Sequence, residues 1–194
     1  MKMKYIEKPL EGKLKWTQPH ALTRYHELRL DGALFATLRW KKMFGSLAVA
    51  EFHKGSYTFK RAGFLRPYIT IRREDAKRNL AIMRFISGSI IRNAMLGLTG
   101  TLEFETGERF AFNRLSFWKP RWAFSDENGN LLATLDRKVK GKPSGMVTVN
   151  RDFIHMPYLH ILVVVGWYAI ILDYEEEEAA IGTGLVASDT PAYG

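Results

Sequence analysis

The chain has 194 residues, 46% apolar and 25% charged, with 29 Lys/Arg against 20 Asp/Glu and no cysteine. That composition describes one ordinary globular domain with a substantial core, and the missing cysteine excludes a disulfide framework, a zinc–thiolate site and a thiol nucleophile. The formal charge of +9 is unevenly divided: residues 1–172 carry 29 bases and 14 acids, whereas the remainder carries six acids and no base, so the basic body attracts polyanions such as nucleic acid or an anionic membrane surface.

The start, MKMKYIEKPLEGKLKW, is basic and lacks the apolar stretch of a secretory signal, so a cytoplasmic location is the expectation. From KLKWT onward the pattern is two-residue alternation, the mark of half-buried strands. HELRLDG, ALFATLRW, SLAVAEF, SYTFKR, PYITIRR, NLAIMRF, LTGTLEFE, ERFAFN, RWAFSD, NLLATLDR and GMVTVN follow in order, making twelve candidate strands. Asp31-Gly32, Lys54-Gly55, Thr106-Gly107 and Asn128-Gly129 fall between neighbouring runs, where tight hairpins require residues that tolerate positive φ.

The chain also repeats itself. YTFKRAGFLRP, starting at Tyr57, recurs as FAFNRLSFWKP, starting at Phe110, at an offset of 53 residues, with Glu-Phe and then Gly ahead of each copy. DGALFATLRWKKMFGSLAV is matched by NGNLLATLDRKVKGKPSGMV, and NLAIMRF is a weaker third copy of the same strand. Residues 34–73 and 79–126 thus form two units of four strands. The first two and last two strands form a third unit, completed by both ends of the chain. This arrangement predicts a closed antiparallel barrel of about twelve strands, mainly β in class, with no free edges.

Near the C-terminus stands MPYLHILVVVGWYAIIL, seventeen residues without a formal charge. It is too long for a strand, and Pro157 suits a first helical turn. A helix of this length rises about 25 Å, short of the roughly 30 Å of a bilayer core. A barrel wider than eight strands needs an occupant, and a helix apolar on every side suits it. The expectation is a central helix over residues 157–172 inside a single domain of residues 1–178; the alternative is a short membrane anchor, since bases precede the run and acids follow it. Negative charge is unfavourable at a helix C-terminus, so the acidic run from Glu175 to Glu178 predicts a stop near Asp173, with residues 179–194 a mobile tail.

A barrel of twelve strands threaded by the apolar helix MPYLHILVVVGWYAIIL resembles the tubby-like superfamily, which includes tubby C-terminal domains, phospholipid scramblases and plant LURP-one-related proteins. The likeness covers the chain from about Lys13 to Leu172. It implies a non-enzymatic, membrane-proximal or lipid-recognising role. The sequence departs from the scramblases in lacking cysteines for acylation, and VTVNRDFIHMPY holds one acid, Asp152, where they carry an acidic calcium-binding segment. Calcium-dependent scrambling is therefore not expected.

Three basic clusters make up the candidate lipid- or anion-binding set: Arg39, Trp40, Lys41 and Lys42; Arg72, Arg73, Lys77 and Arg78; and Arg137, Lys138, Lys140 and Lys142. The first and third are equivalent in the repeat. Trp40, Met43 and Phe44 suit an interface while the bases meet lipid phosphates, although Trp40 fits equally as an inward strand residue. The repeated Arg61 and Arg114, with Arg66 and Lys119, are readable as phosphate ligands or as stems covering apolar surface and pairing with acids. The twins Phe59/Phe112 and Phe64/Phe117 read as core. Bases among aromatics also suit single-stranded nucleic acid, which ranks second as a partner because no recognised motif supports it.

No catalytic signature, metal site or cofactor is expected. His155 and His160 have no Cys or acid cluster at ligand spacing, and His160 reads as a buried, satisfied side chain. Glu74-Asp75 and Asp126-Glu127 occupy equivalent turns and read as turn residues. The stretch GTGLVA, starting at Gly182, lacks the strand–turn–helix setting of a dinucleotide fingerprint.

Overall fold

The computed structural model describes residues 9–20, 22–53, 55–63, 66–86, 98–116, 118–138 and 141–182, with side chains up to residue 179. Lys54, Phe64, Phe117, Lys140 and residues 183–194 lie outside the described residues, and with them most of GTGLVA and of the expected tail.

Twelve strands close into one antiparallel barrel: β1 (Leu14–Thr17), β2 (Tyr25–Leu30), β3 (Ala33–Trp40), β4 (Ala48–Phe52), β5 (Gly55–Ala62), β6 (Tyr68–Arg73), β7 (Ala81–Phe85), β8 (Gly100–Phe104), β9 (Arg109–Ser116), β10 (Arg121–Ser125), β11 (Leu131–Arg137) and β12 (Ser144–Val149). Each falls on a segment expected from alternation. Strand β1 closes the ring, pairing with β2 on one side and with β12 on the other (Leu14 opposite Val147, Thr17 opposite Ser144). The third repeat unit is thus β11 and β12 joined to β1 and β2, and every strand has two partners. At the β2–β3 turn Asp31 and Gly32 have φ of 50° and 87°, the two positive values that a two-residue hairpin demands.

After a short 3-10 turn at Arg151–Phe153 the helix α1, Leu159–Gly182, runs through the barrel. Every residue from Ile161 to Leu172 is buried, so no face of this stretch meets solvent. It touches the wall all round. Trp167 stacks on Trp16 of β1 at 5.6 Å, Tyr168 on Trp40 of β3 at 5.5 Å, and His160 meets Phe52 of β4 edge-on at 5.1 Å. Small residues set the approach. A Cβ on Gly166 would lie 2.9 Å from Phe124, and one on Gly145 would lie 2.6 Å from Trp167. Among the described residues no helix is long and apolar enough to cross a membrane.

The helix bounds differ from those expected. Pro157 lies just ahead of the helix, where Tyr158 at φ 67° supplies the first carbonyl, accepting from the N–H groups of Ile161 and Leu162. At the other end the helix does not stop near Asp173 but continues to Gly182. The reason is the surroundings of its acids, described next. His160 is half-buried, packed against Phe52 and Tyr57, rather than fully buried.

Candidate functional site

The helix gives the barrel two unlike ends. It enters at the floor, where Tyr158 stacks on Phe104 at 4.3 Å. It leaves through the mouth, where four arginines surround its next two turns. Arg24 grips Glu175 through Nε–Oε1 at 2.9 Å and Nη2–Oε2 at 2.5 Å. Arg61 pairs with Glu176. The Arg137 guanidinium lies over the Tyr174 ring at 4.2 Å, and the charges of Arg114 and Arg137 act on Asp173. This collar offsets the carboxylates that would otherwise oppose the helix dipole, so the acidic run stays helical. Burial, reinforced by Glu177 and Glu176, still pushes the Asp173 carboxyl up to about 6.

The collar also shapes the rim. Arg24 donates to the carbonyls of Met43 (3.1 Å) and Gly45 (2.7 Å), and its guanidinium sits 4.7 Å over Trp40. Tyr168 donates to the Ser46 carbonyl and accepts from the Arg61 N–H at 3.0 Å. The β3–β4 loop is thereby pinned to the helix from inside, with its tip turned outward. Beneath it His26 is buried, its Nδ1 accepting from Trp167 Nε1 at 3.3 Å. Burial, then the charge of Arg24, push its pKa down to about 4, so it is neutral near pH 7.

Of the three basic clusters, the topology brings two together. The first lies in β3 and the β3–β4 loop, the third in β11 and the β11–β12 loop, both at the mouth. The β1–β2 loop sits between them, and Lys142 Nζ donates to the Pro19 carbonyl there at 3.3 Å. Between the β1–β2 and β3–β4 loops is a pocket of about 370 Å³ whose lining includes His20, Arg24, Arg39, Lys41 and Lys42 and no acid. Lys41 Nζ also lies 3.9 Å from Glu74. Trp40 is not an interface residue. It is 5% exposed, because β3 alternation turns it inward onto Tyr168. The Arg137 stem likewise turns inward to Tyr174, and Lys140 lies outside the described residues.

The second cluster is at the opposite end. Arg72 and Arg73 close β6 at the floor, and Lys77 and Arg78 follow in the β6–β7 loop. Acids accompany them: Arg73 is 3.8 Å from Asp75 and Arg78 is 3.9 Å from Glu105, while Arg72 donates to Asn79. These four residues do not join the mouth set.

The sequence pointed to Met43 and Phe44 but not to the rest of the apolar component. Nine large apolar side chains stand exposed among the described residues, and eight are at the mouth: Leu22, Met43, Phe44, Leu47, Tyr68, Ile86, Leu115 and Trp118. Phe44 and Trp118 are each 88% exposed and Leu22 90%. Only Leu131 is at the floor. The charges follow the same division. Among the described residues, the connections at the mouth carry seven Lys/Arg (Arg24, Lys41, Lys42, Arg66, Lys119, Lys138 and Lys142) and no Asp or Glu. Those at the floor carry eight acids and three bases. The signal was present in the sequence, since alternate connections of a closed barrel share an end, but it becomes visible only when the strands are numbered and their ends sorted.

Of the repeated arginines, Arg61 pairs with Glu176, and Arg114 lies 5.6 Å from Trp122 while donating to the Ser116 carbonyl. Phe59 and Phe112 are fully buried. No family model matches this sequence, and no curated protein or solved structure is significantly similar to it.

Proposed function

We propose that this protein is a non-enzymatic, tubby-like barrel that binds anionic phospholipid headgroups with its mouth against a membrane surface, working as a peripheral protein on the cytoplasmic side. One observation carries the reading: exposed apolar tips and acid-free basic connections coincide at a single end of the barrel. Apolar side chains dip below the headgroups while bases meet the phosphates, each contributing about 1 kcal/mol near an anionic surface. The pocket lined by His20, Arg39, Lys41 and Lys42 is a seat for one headgroup phosphate, and Met43 and Phe44 stand beside it for the acyl boundary.

Co-sedimentation with neutral and anionic vesicles, at low and high salt, tests this. Salt-sensitive pelleting with anionic vesicles alone is the expected result. Pelleting with neutral vesicles that survives high salt would point to insertion instead. A protein left in every supernatant would remove the lipid reading, and salt-steep affinity for single-stranded RNA in that case would replace it with nucleic-acid binding.

A further inference from the structure

We propose that Arg24 and Arg61 form a second phosphate site, inside the mouth, that the chain's own Glu175 and Glu176 occupy until a phosphate displaces them. The inference rests on the membrane reading for its ligand source, but the site itself is argued from geometry. The two arginines stand on one wall of an open groove of about 1000 Å³ between the β3–β4 tip and the emerging helix, whose lining also includes Met43, Phe44 and Leu172.

Glu175 sits on Arg24 with both carboxylate oxygens engaged, at 2.9 and 2.5 Å. This fork-to-fork geometry is the one in which guanidinium receives two phosphate oxygens. Glu176 stands on Arg61 in the same way at one nitrogen. The carboxylates are therefore internal stand-ins for anionic oxygens. These acids lie past the core: the apolar helix ends its buried stretch at Leu172, and Glu176 is largely exposed. Arg24 is only 15% exposed, and its Nη1 donates to the Met43 and Gly45 carbonyls. Releasing Glu175 leaves a fixed guanidinium facing the groove rather than a mobile one.

The consequence is a threshold. A phosphate must outcompete a tethered carboxylate, so sparse anionic lipid leaves the site closed and dense anionic lipid opens it. The test compares the full chain with Glu175→Gln/Glu176→Gln and with Glu177→Gln/Glu178→Gln, which removes the same charge but keeps both arginine pairs. Binding is read against phosphatidylcholine vesicles containing graded phosphatidylserine, and separately against inorganic phosphate by calorimetry.

One elementary charge near an anionic surface is worth about fivefold in partitioning, so both pairs of substitutions gain from net charge alone. The expected result is a gain at least about tenfold larger for Glu175→Gln/Glu176→Gln, at a lower phosphatidylserine fraction, and loss of that excess when Arg61→Gln is added. Equal gains from the two double variants would overturn the site and leave only net charge. A gain toward inorganic phosphate without one toward vesicles keeps the site and assigns it a soluble phosphate. If vesicles bind none of the proteins, the membrane reading falls, while the phosphate titration still decides the site. No phosphate and no vesicle gain from Glu175→Gln/Glu176→Gln sinks the proposal.

Discussion

The mouth and the floor of this barrel are made from the same twelve strands, yet their surface residues are used differently. At the floor the acids have structural work. Asp31 Oδ1 accepts from the Lys13 N–H at 2.9 Å, Asp126 Oδ1 accepts from the N–H groups of Asn128 and Asn130 at 3.0 and 2.8 Å, and Glu74 accepts from Ser56. These are turn-forming contacts, and they explain why acids collect there. At the mouth, Phe44 and Leu22 stand exposed, and the connecting loops carry no acid of their own; Arg24 and Lys41 meet acids from elsewhere in the chain, Glu175 and Glu74. Apolar residues exposed at one end of a molecule, when the other end shows how such turns are ordinarily built, point to a task outside the molecule.

The largest effect should come from what the two ends share. Trp167 stacks on Trp16, donates to His26 and fills the space over Gly145. Trp167→Ala should destabilise the fold by about 3–5 kcal/mol in denaturant unfolding. Mouth and floor should unfold in a single transition, and two separate transitions would mean the ends are independent units.

Next come the charges. Lys42→Glu with Lys138→Glu at the mouth should weaken anionic-vesicle binding by about a hundredfold or more, given roughly 1 kcal/mol for each unit of charge. Lys77→Glu with Arg78→Glu at the floor makes the same change in net charge and should cost much less. Equal losses from the two pairs would dissolve the distinction between the ends.

A smaller effect sharpens the picture of the collar. Folding raises the Asp173 pKa from 3.8 to about 6, so the folded state favours the protonated acid. The stability this provides is fully present below pH 3.8 and is lost as pH rises through 6. Asp173→Asn should therefore exceed the wild type by about 1–2 kcal/mol at pH 7, with the difference vanishing near pH 4. His26 works in the opposite direction. Its pKa falls from 6.5 to about 4 on folding, so its contribution is present above pH 6.5 and is lost as pH falls through 4. The wild type should change little through this group pair between pH 6 and 4, whereas Asp173→Asn should lose stability on acidification. Thermal unfolding at three pH values measures both.

The fold was legible in the sequence because it rests on periodicity. Alternation located all twelve strands, the repeat of YTFKR as FAFNR located the units, and the charge-free run located the central helix. What failed was local. The helix end was misplaced because the acids were read against the helix dipole alone, without Arg24 and Arg61, which lie 151 and 115 residues away in sequence. Trp40 was grouped with Lys41 and Lys42 because neighbours in sequence look like neighbours in space, whereas successive strand residues face opposite sides of a sheet. The second basic cluster was read with the others because end-sorting requires knowing which strands run which way.

The most direct measurement uses the absence of cysteine. Single-cysteine variants Phe44→Cys and Trp118→Cys at the mouth, and Leu131→Cys at the floor, carry a polarity-sensitive fluorophore and are titrated with anionic vesicles. A blue shift and protection from aqueous quenchers are expected at positions 44 and 118, with position 131 unchanged. Equal shifts at both ends, or a shift at 131 alone, would contradict the assignment of the mouth as the membrane-facing end.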